Sequence, residues 1–154
     1  MTTRILRAVL TVSAVCVLLS LSGCKNATIK MKLVNESEYA ITDLRVWEVD
    51  RNGESVDAAE AELNRIPLDD SGTTRPLAAM DEVVVPWLFR KSPHRVSVTF
   101  YFPSTDTRPE PVFLTREAPV LLDLRGEKRK STVILTTSLT RENEGVFTFE
   151  VVAP

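Results

Sequence analysis

The chain has 154 residues, 44% of them hydrophobic and 26% charged, which suits one domain with its own core and argues against wholesale disorder. Its net charge is −2, and without residues 1–23, which hold two arginines and no acid, the balance is −4. With no basic surplus to hold a polyanion, the composition argues against a nucleic-acid role.

The chain opens with Arg4 and Arg7 and no acid, continues from Ala8 to Leu19 as an uncharged apolar run, and turns small and polar from Ser20 to Gly23. That order is the one an export signal has. From Ala8 to Leu21 the run is 14 residues, short of the roughly 20 that a spanning helix needs. It also lacks the polar face of a helix at the edge of a core. The four residues that close it, Leu21-Ser22-Gly23-Cys24, resemble the lipobox of bacterial lipoproteins: an aliphatic residue, two small residues, then cysteine. The resemblance implies that the Cys24 sulfur takes a diacylglyceryl group, that a signal peptidase cuts between Gly23 and Cys24, and that the new amine is acylated, with palmitate or a similar chain. The thiol is required because its thiolate is the nucleophile. Residues 1–23 are then a cleaved signal peptide, 24–28 a lipidated terminus and short tether, and 29–154 the folded domain. Two or three acyl chains anchor stably, at about 0.8 kcal/mol per buried methylene. The implied address is the exported side of the cell membrane or the outer membrane; Lys25, where aspartate would retain a protein at the inner membrane, points to the outer one. Cys16 falls in the leader and Cys24 becomes a thioether, so the mature domain has neither disulfide nor free thiol and stands on its hydrophobic core. The tether of four residues reaches at most about 14 Å, which keeps the domain close to the bilayer.

Strands follow at once. In Thr28–Leu33 the period of two places Ile29, Met31 and Leu33 on one face and the lysines on the other. Asn35–Glu38 reads as a turn. Tyr39–Val49 is a second strand with a broken phase: Leu44 and Val46 share one face, Trp47 and Val49 the other, so either both faces are buried or a bulge shifts the register. The connection from Asp50 to Ala79 is irregular, with turn signals at 50–53 and 69–72 and a short helix over Asp57–Leu63, N-capped by Asp57 with Glu60 placed for a capping box. Glu82–Leu88 is a strand with Val83, Val85 and Trp87 in phase, and Pro86 assigns it to an edge or a bulge. Arg95–Phe102 alternates cleanly, with Val96, Val98, Phe100 and Phe102 against Arg95, Ser97, Thr99 and Tyr101. After the polar loop 103–111 come a short strand at Val112–Leu114 and another at Val120–Leu124, with Val120, Leu122 and Leu124 in phase. Ser131–Leu139 and Val146–Val152 form a hairpin around Glu142–Gly145. Seven or eight short strands at this spacing, with no alternation of strands and full helices, predict an all-β antiparallel β-sandwich with one short helix in the 50–80 connection. The pattern is similar to immunoglobulin-like sandwich domains of exported bacterial proteins.

The search for chemistry is short. One histidine, His94, and one lipidated cysteine cannot supply the three or four N/S ligands of a zinc site. Asp50, Asn52 and Glu54 are spaced like the start of a calcium loop, but Ala61 stands where the bidentate Glu belongs, so the segment reads as a hydrophilic turn. His94 reads as a solvated loop residue; as the only base available to a Ser-His-Asp arrangement, it leaves the chain without an evident hydrolase site. No nucleophile elbow, phosphate loop or dinucleotide fingerprint is present. No metal, no cofactor and no catalytic residue is assigned. Trp47, Trp87 and Tyr101 are candidates for an aromatic ligand platform, against core or rim packing. Arg125–Lys130 is the one basic cluster: a solvated turn, or a contact with anionic head groups if it lies at the same end of the sandwich as Cys24. The sequons at Asn26 and Asn35 read as chance. The first expectation is therefore a lipid-anchored, non-enzymatic envelope protein, an interaction or structural module whose partners are the membrane, through Cys24, and another envelope protein. A carbohydrate- or peptide-binding lipoprotein and a cryptic hydrolase are the alternatives.

Overall fold

The computed structural model describes residues 28–89, 92–127 and 130–154, with the side chains of Thr28 and Pro86–Phe89 outside that description. The expected signal peptide, lipobox and tether, up to residue 27, also lie outside the described residues. Eight strands and one short helix follow in order: β1 Thr28–Asn35, β2 Ala40–Glu48, α1 Ala58–Ala61, β3 Glu82–Phe89, β4 Pro93–Phe102, β5 Val112–Glu117, β6 Leu122–Asp123, β7 Thr132–Leu139 and β8 Gly145–Val152. They form a two-sheet all-β sandwich. The first sheet has the order β3-β1-β7-β8; the second has β2-β4-β5, with β6 also paired to β4. The strand count and two-layer architecture are those of the expected class. Every ladder is antiparallel except one: β1 and β7 run parallel, with Lys30 opposite Thr132 and Asn35 opposite Thr137.

The core is what the period-two pattern dictates. Ile29, Met31 and Leu33 from β1, Val133 and Leu135 from β7, and Val96, Val98 and Phe100 from β4 are all buried between the sheets. Phe100 is the largest fully buried side chain, and burying a side chain of that size contributes about 1.5–3 kcal/mol. In β2 the register with β4 shifts between Ile41 and Asp43. This bulge brings Ile41, three positions from Leu44, onto the same inner face as Leu44 and Val46, all three buried. Pro86 lies in β3 at the sheet edge, where its missing donor breaks no ladder bond. The expected strand over Val120–Leu124 shrinks to Leu122–Asp123. The chain leaves the sheet after Ala118, whose N–H still donates to Val96 O at 2.8 Å, and Pro119 cannot donate the next bond. Leu122 and Leu124 are buried as expected, but Val120 is 58% exposed.

The connection from residue 50 to 81 runs along the open edge of β2. Ile41 and Leu77 exchange backbone hydrogen bonds at 2.8 Å each, Arg65 N–H donates to Leu44 O at 2.7 Å, and Val56 N–H donates to Glu48 O at 3.0 Å. Its helix is capped by Asp57, whose carboxylate accepts from Ala59 N at 2.9 Å. The expected capping box does not close, because Glu60 turns to Arg65 instead, 3.2 Å away.

Strand directions define two ends of the sandwich. The near end holds the start of β1 at Thr28, the β2–α1 turn, the β3–β4 connection, β6 and the β6–β7 connection. The far end holds the β1–β2 turn, the hairpin of residues 68–74, the loop 103–111 and the β7–β8 turn. The parallel pairing of β1 and β7 puts Lys130, two residues before Thr132, at the end where β1 begins.

Candidate functional site

Four of the residues singled out in the sequence, Leu21, Ser22, Gly23 and Cys24, lie outside the described residues, as does the side chain of Trp87. The backbone of Trp87 belongs to β3, in the first sheet. Trp47 and Tyr101 both lie on the outer face of the second sheet, half-buried. Trp47 stands opposite Arg95, and Tyr101 lies six positions further along β4, which is about 20 Å at the rise of a strand. Trp47 and Tyr101 therefore do not converge into one platform. Tyr101 instead meets Phe113 of β5, its cross-strand partner, with ring centroids 5.3 Å apart and planes tilted by 47°, a geometry favoured by the ring quadrupoles. Phe113 is 60% exposed. It was absent from the expected platform because three residues of alternation at 112–114 do not say which neighbour they will face.

Between these aromatics the outer face is polar. The hydroxyls of Thr99 and Thr115 lie 2.9 Å apart, and Arg95 is ion-paired with Glu117. The Arg95 Nε also donates to Gly53 O at 3.3 Å. Gly53 has φ +83, and a Cβ there would come within 3.2 Å of the Arg95 guanidinium, so glycine serves both the turn and this approach.

His94 corrects the sequence reading. It is a strand residue, opposite Glu48 on one side and Leu122 on the other, and only 2% of its surface is exposed. Neither ring nitrogen has a hydrogen-bond partner among the described residues. Desolvation holds its pKa below the ordinary histidine value, against the opposing pull of the Glu48 and Glu60 carboxylates. No serine hydroxyl or carboxylate bonds to it among the described residues, so the elements of a Ser-His-Asp relay are not assembled around it.

The turns are internally satisfied. Asp50 Oδ1 accepts from the backbone N–H groups of Asn52 at 2.8 Å and Glu54 at 3.0 Å, an Asx turn that commits the first of the three supposed calcium ligands to the chain itself. Asp69 does the same for Ser71 and Thr73, and these bonds, led by the Ser71 hydroxyl, hold its pKa below the usual carboxylate range. Asn35 is fully buried. Its Nδ2 donates to Tyr39 O at 2.8 Å and Ala78 O at 2.9 Å, while its Oδ1 accepts from Ser37 N and Oγ at 3.0 and 2.7 Å. A side chain so engaged is a structural post and has no room for a glycan.

At the near end a cleft of about 560 Å³ is lined by Val49, Val56, Pro93, Leu121, Arg51 and Arg125, among others. Arg125 grips Asp123 through Nε and Nη2, at 2.9 and 2.6 Å. The guanidinium and the Arg125 backbone N–H hold the Asp123 carboxyl at about 2. Val120 and Leu121 protrude beside it, 58% and 43% exposed. The far end carries smaller clefts, one of about 440 Å³ between the β1–β2 and β7–β8 turns and one of about 350 Å³ between residues 66–77 and the start of β3. The first is lined mostly by polar residues, Glu36, Glu38, Thr140, Arg141 and Asn143 among them, and the second by Asp69, Asp70, Asp81 and Arg75 together with Ile66 and Leu77. Among the described residues no group of three or more His, Cys, Asp or Glu side chains is placed to hold a metal ion, and no helix is long and apolar enough to cross a membrane. No protein-family model, no curated protein and no solved structure matches the chain.

Proposed function

We propose that the chain is a lipid-anchored protein of the cell envelope, held through Cys24 on the exported side of the cell membrane or outer membrane, and that its sandwich is a non-enzymatic interaction or structural module. The observation that carries this reading is the order of charged start, apolar run and Leu21-Ser22-Gly23-Cys24, only four residues before β1 begins at Thr28. A domain set so close behind its anchor works at the membrane surface. The test is processing in native cells. The wild-type chain should incorporate labelled palmitate and carry Cys24 as its mature terminus, whereas Cys24→Ser should keep its leader and take up no label. Normal processing of that variant would refute the anchor.

A second reading, a ligand-binding lipoprotein, is favoured by the half-buried Tyr101 against the exposed Phe113 at one end of a polar sheet face with Trp47 at the other. Aromatic faces of this kind stack on apolar sugar faces. Titration with soluble envelope glycans should then change tryptophan fluorescence in the wild type and not in Trp47→Ala; no response to any glycan removes this reading.

A further inference from the structure

Among the described residues the two sheets end in four strands, β3 and β8, β2 and β5, and these edges are not equally guarded. The edge of β2 is covered by the connection 50–81. β3 holds Pro86, and its register with β1 shifts between Ile29 and Met31. β5 is shorter and closes with Arg116 and Glu117, and Arg116 spans the gap to Asn143. β8 has none of these devices. Its eight residues, Gly145–Val152, pair with β7 without a shift, include no proline or lysine, and carry one charge, Glu150. Such an edge is ordinarily blunted, because its free donors and acceptors template another strand. The groups that β8 leaves free follow from its turn. Thr140 N–H donates to Glu144 O at 2.9 Å, and bonded pairs alternate along an antiparallel ladder. Val146, Thr148, Glu150 and Val152 therefore bond to β7, while Phe147, Phe149 and Val151 turn their N–H and C=O groups outward. The same phase sends Thr137 O away from β8, where it accepts from Glu36 N at 2.9 Å.

We propose that a second copy of this chain occupies this edge, its β8 pairing antiparallel with β8 about a two-fold axis at Phe149. The strand is complementary to itself in that register. Phe149 lies opposite the partner's Phe149 and Phe147 opposite the partner's Val151, so all three outward-turned residues exchange backbone bonds. On the other face Val146 meets the partner's Val152, and Thr148 meets the partner's Glu150. Apolar thus faces apolar, and the one charge faces a hydroxyl. An axis at Glu150 would oppose two carboxylates, and an axis at Thr148 would set Glu150 against a valine. Val146, Val151 and Val152, all exposed in the single chain, are covered by the pairing, and the two four-stranded sheets become one. The contact is isologous, as closed two-fold dimers require. The inference goes beyond the proposed anchoring and does not depend on it, since β8 is folded chain remote in sequence from Cys24. The two are compatible: the axis stands perpendicular to the sheet, so both copies turn the same sheet face to one side, and one bilayer can hold both anchors.

The experiment follows the full mature protein in detergent by sedimentation equilibrium over a concentration series and by amide hydrogen exchange. The protein mass should rise from one chain to two, and the amides of Phe147, Phe149 and Val151 should gain protection in step with it. Thr148 is exposed, so its substitutions leave the fold alone. Thr148→Glu sets two like-charge pairs across the axis and should raise the dissociation constant about tenfold, whereas Thr148→Lys sets two opposite-charge pairs and should lower it about tenfold. Val151→Pro removes an outward N–H and no bond to β7, and should leave a folded single chain; where that variant does not fold, the two Thr148 variants decide. A single-chain mass at every concentration overturns the inference. So does a dimer in which those three amides stay unprotected, or one that both Thr148 variants form as the wild type does. Palmitate labelling at Cys24 reads the anchor separately, and its outcome leaves the pairing of β8 untouched.

Discussion

The two flanks of the sandwich solve the same problem in opposite ways. On one flank β2 would expose a row of backbone donors and acceptors, and the connection 50–81 covers it. Asn64 is the most economical part of that cover. Its side-chain amide accepts from Leu44 N at 3.1 Å and donates to Thr42 O at 3.0 Å, so it pairs with β2 as a peptide unit would, at the bulge where a regular strand would lose register. On the other flank β5 and β8 are edges with no further strand beside them among the described residues. They carry Val112, Phe113, Val146, Val151 and Val152, all exposed. The bond from Arg116 Nε to Asn143 O, at 2.8 Å, links them across the gap. A sheet edge can thus be closed by irregular chain as well as by a strand, provided that each polar group finds a partner.

The comparison can be broken most severely from the covered flank. Asn35→Ala removes the post that ties the β1–β2 turn to Ala78 and leaves the buried Ser37 N–H without its acceptor; about 3 kcal/mol of stability should be lost, read as a lower urea midpoint at unchanged m-value. Asn64→Ala should cost about 2 kcal/mol and raise amide exchange at Leu44 more than at residues in β7. A smaller effect should come from His94. Its folded pKa lies below the ordinary histidine value, so folding favours the neutral ring. Stability should therefore be full above the unfolded pKa of about 6.5 and decline as pH falls from there through the folded value, because the unfolded chain binds the proton more tightly. Urea midpoints at pH 7.5 and 5.5 test this, and His94→Phe should flatten the slope. The bare flank should respond least. Phe113→Lys, on an exposed face, should shift stability by no more than about 0.5 kcal/mol while lowering any tendency of β5 to associate edge to edge, seen by light scattering at high concentration.

What the sequence disclosed follows the same division. Alternation alone located Ile29, Met31 and Leu33, the four inner residues of β4, and the hairpin of β7 with β8, because each signal and each partner is local. The N-cap at Asp57 was legible for the same reason. The parallel partnership of β1 and β7 was not, since nothing near either strand specifies a neighbour about a hundred residues away. Asn35 and Asn64 resembled ordinary turn and loop polars, and their value lies wholly in carbonyls and amides supplied by distant chain. His94 was misread because proline and lysine before it resemble a loop, whereas Pro93 already belongs to β4 and Leu122 covers the ring's strand from the other side. Phe113 acquired meaning only through Tyr101. For the proposed anchor the reverse holds, since Cys24 and its box are readable as four letters and lie beyond the residues whose structure is described.

The parallel ladder between β1 and β7 has a kinetic consequence. Lys30 meets Thr132, 102 positions later, so the central pair of the first sheet forms only when a very long loop closes. Each doubling of such a loop adds only about 0.6 kcal/mol of entropy, but contacts of this range are the ones that slow folding. Until Thr132–Leu139 arrives, β1 has β3 alone to lean on and β8 has nothing. A chain shortened before residue 132 should therefore be unable to assemble this sheet at all, and the intact chain should spend its folding time with β1 waiting for a partner from the last quarter of the polypeptide.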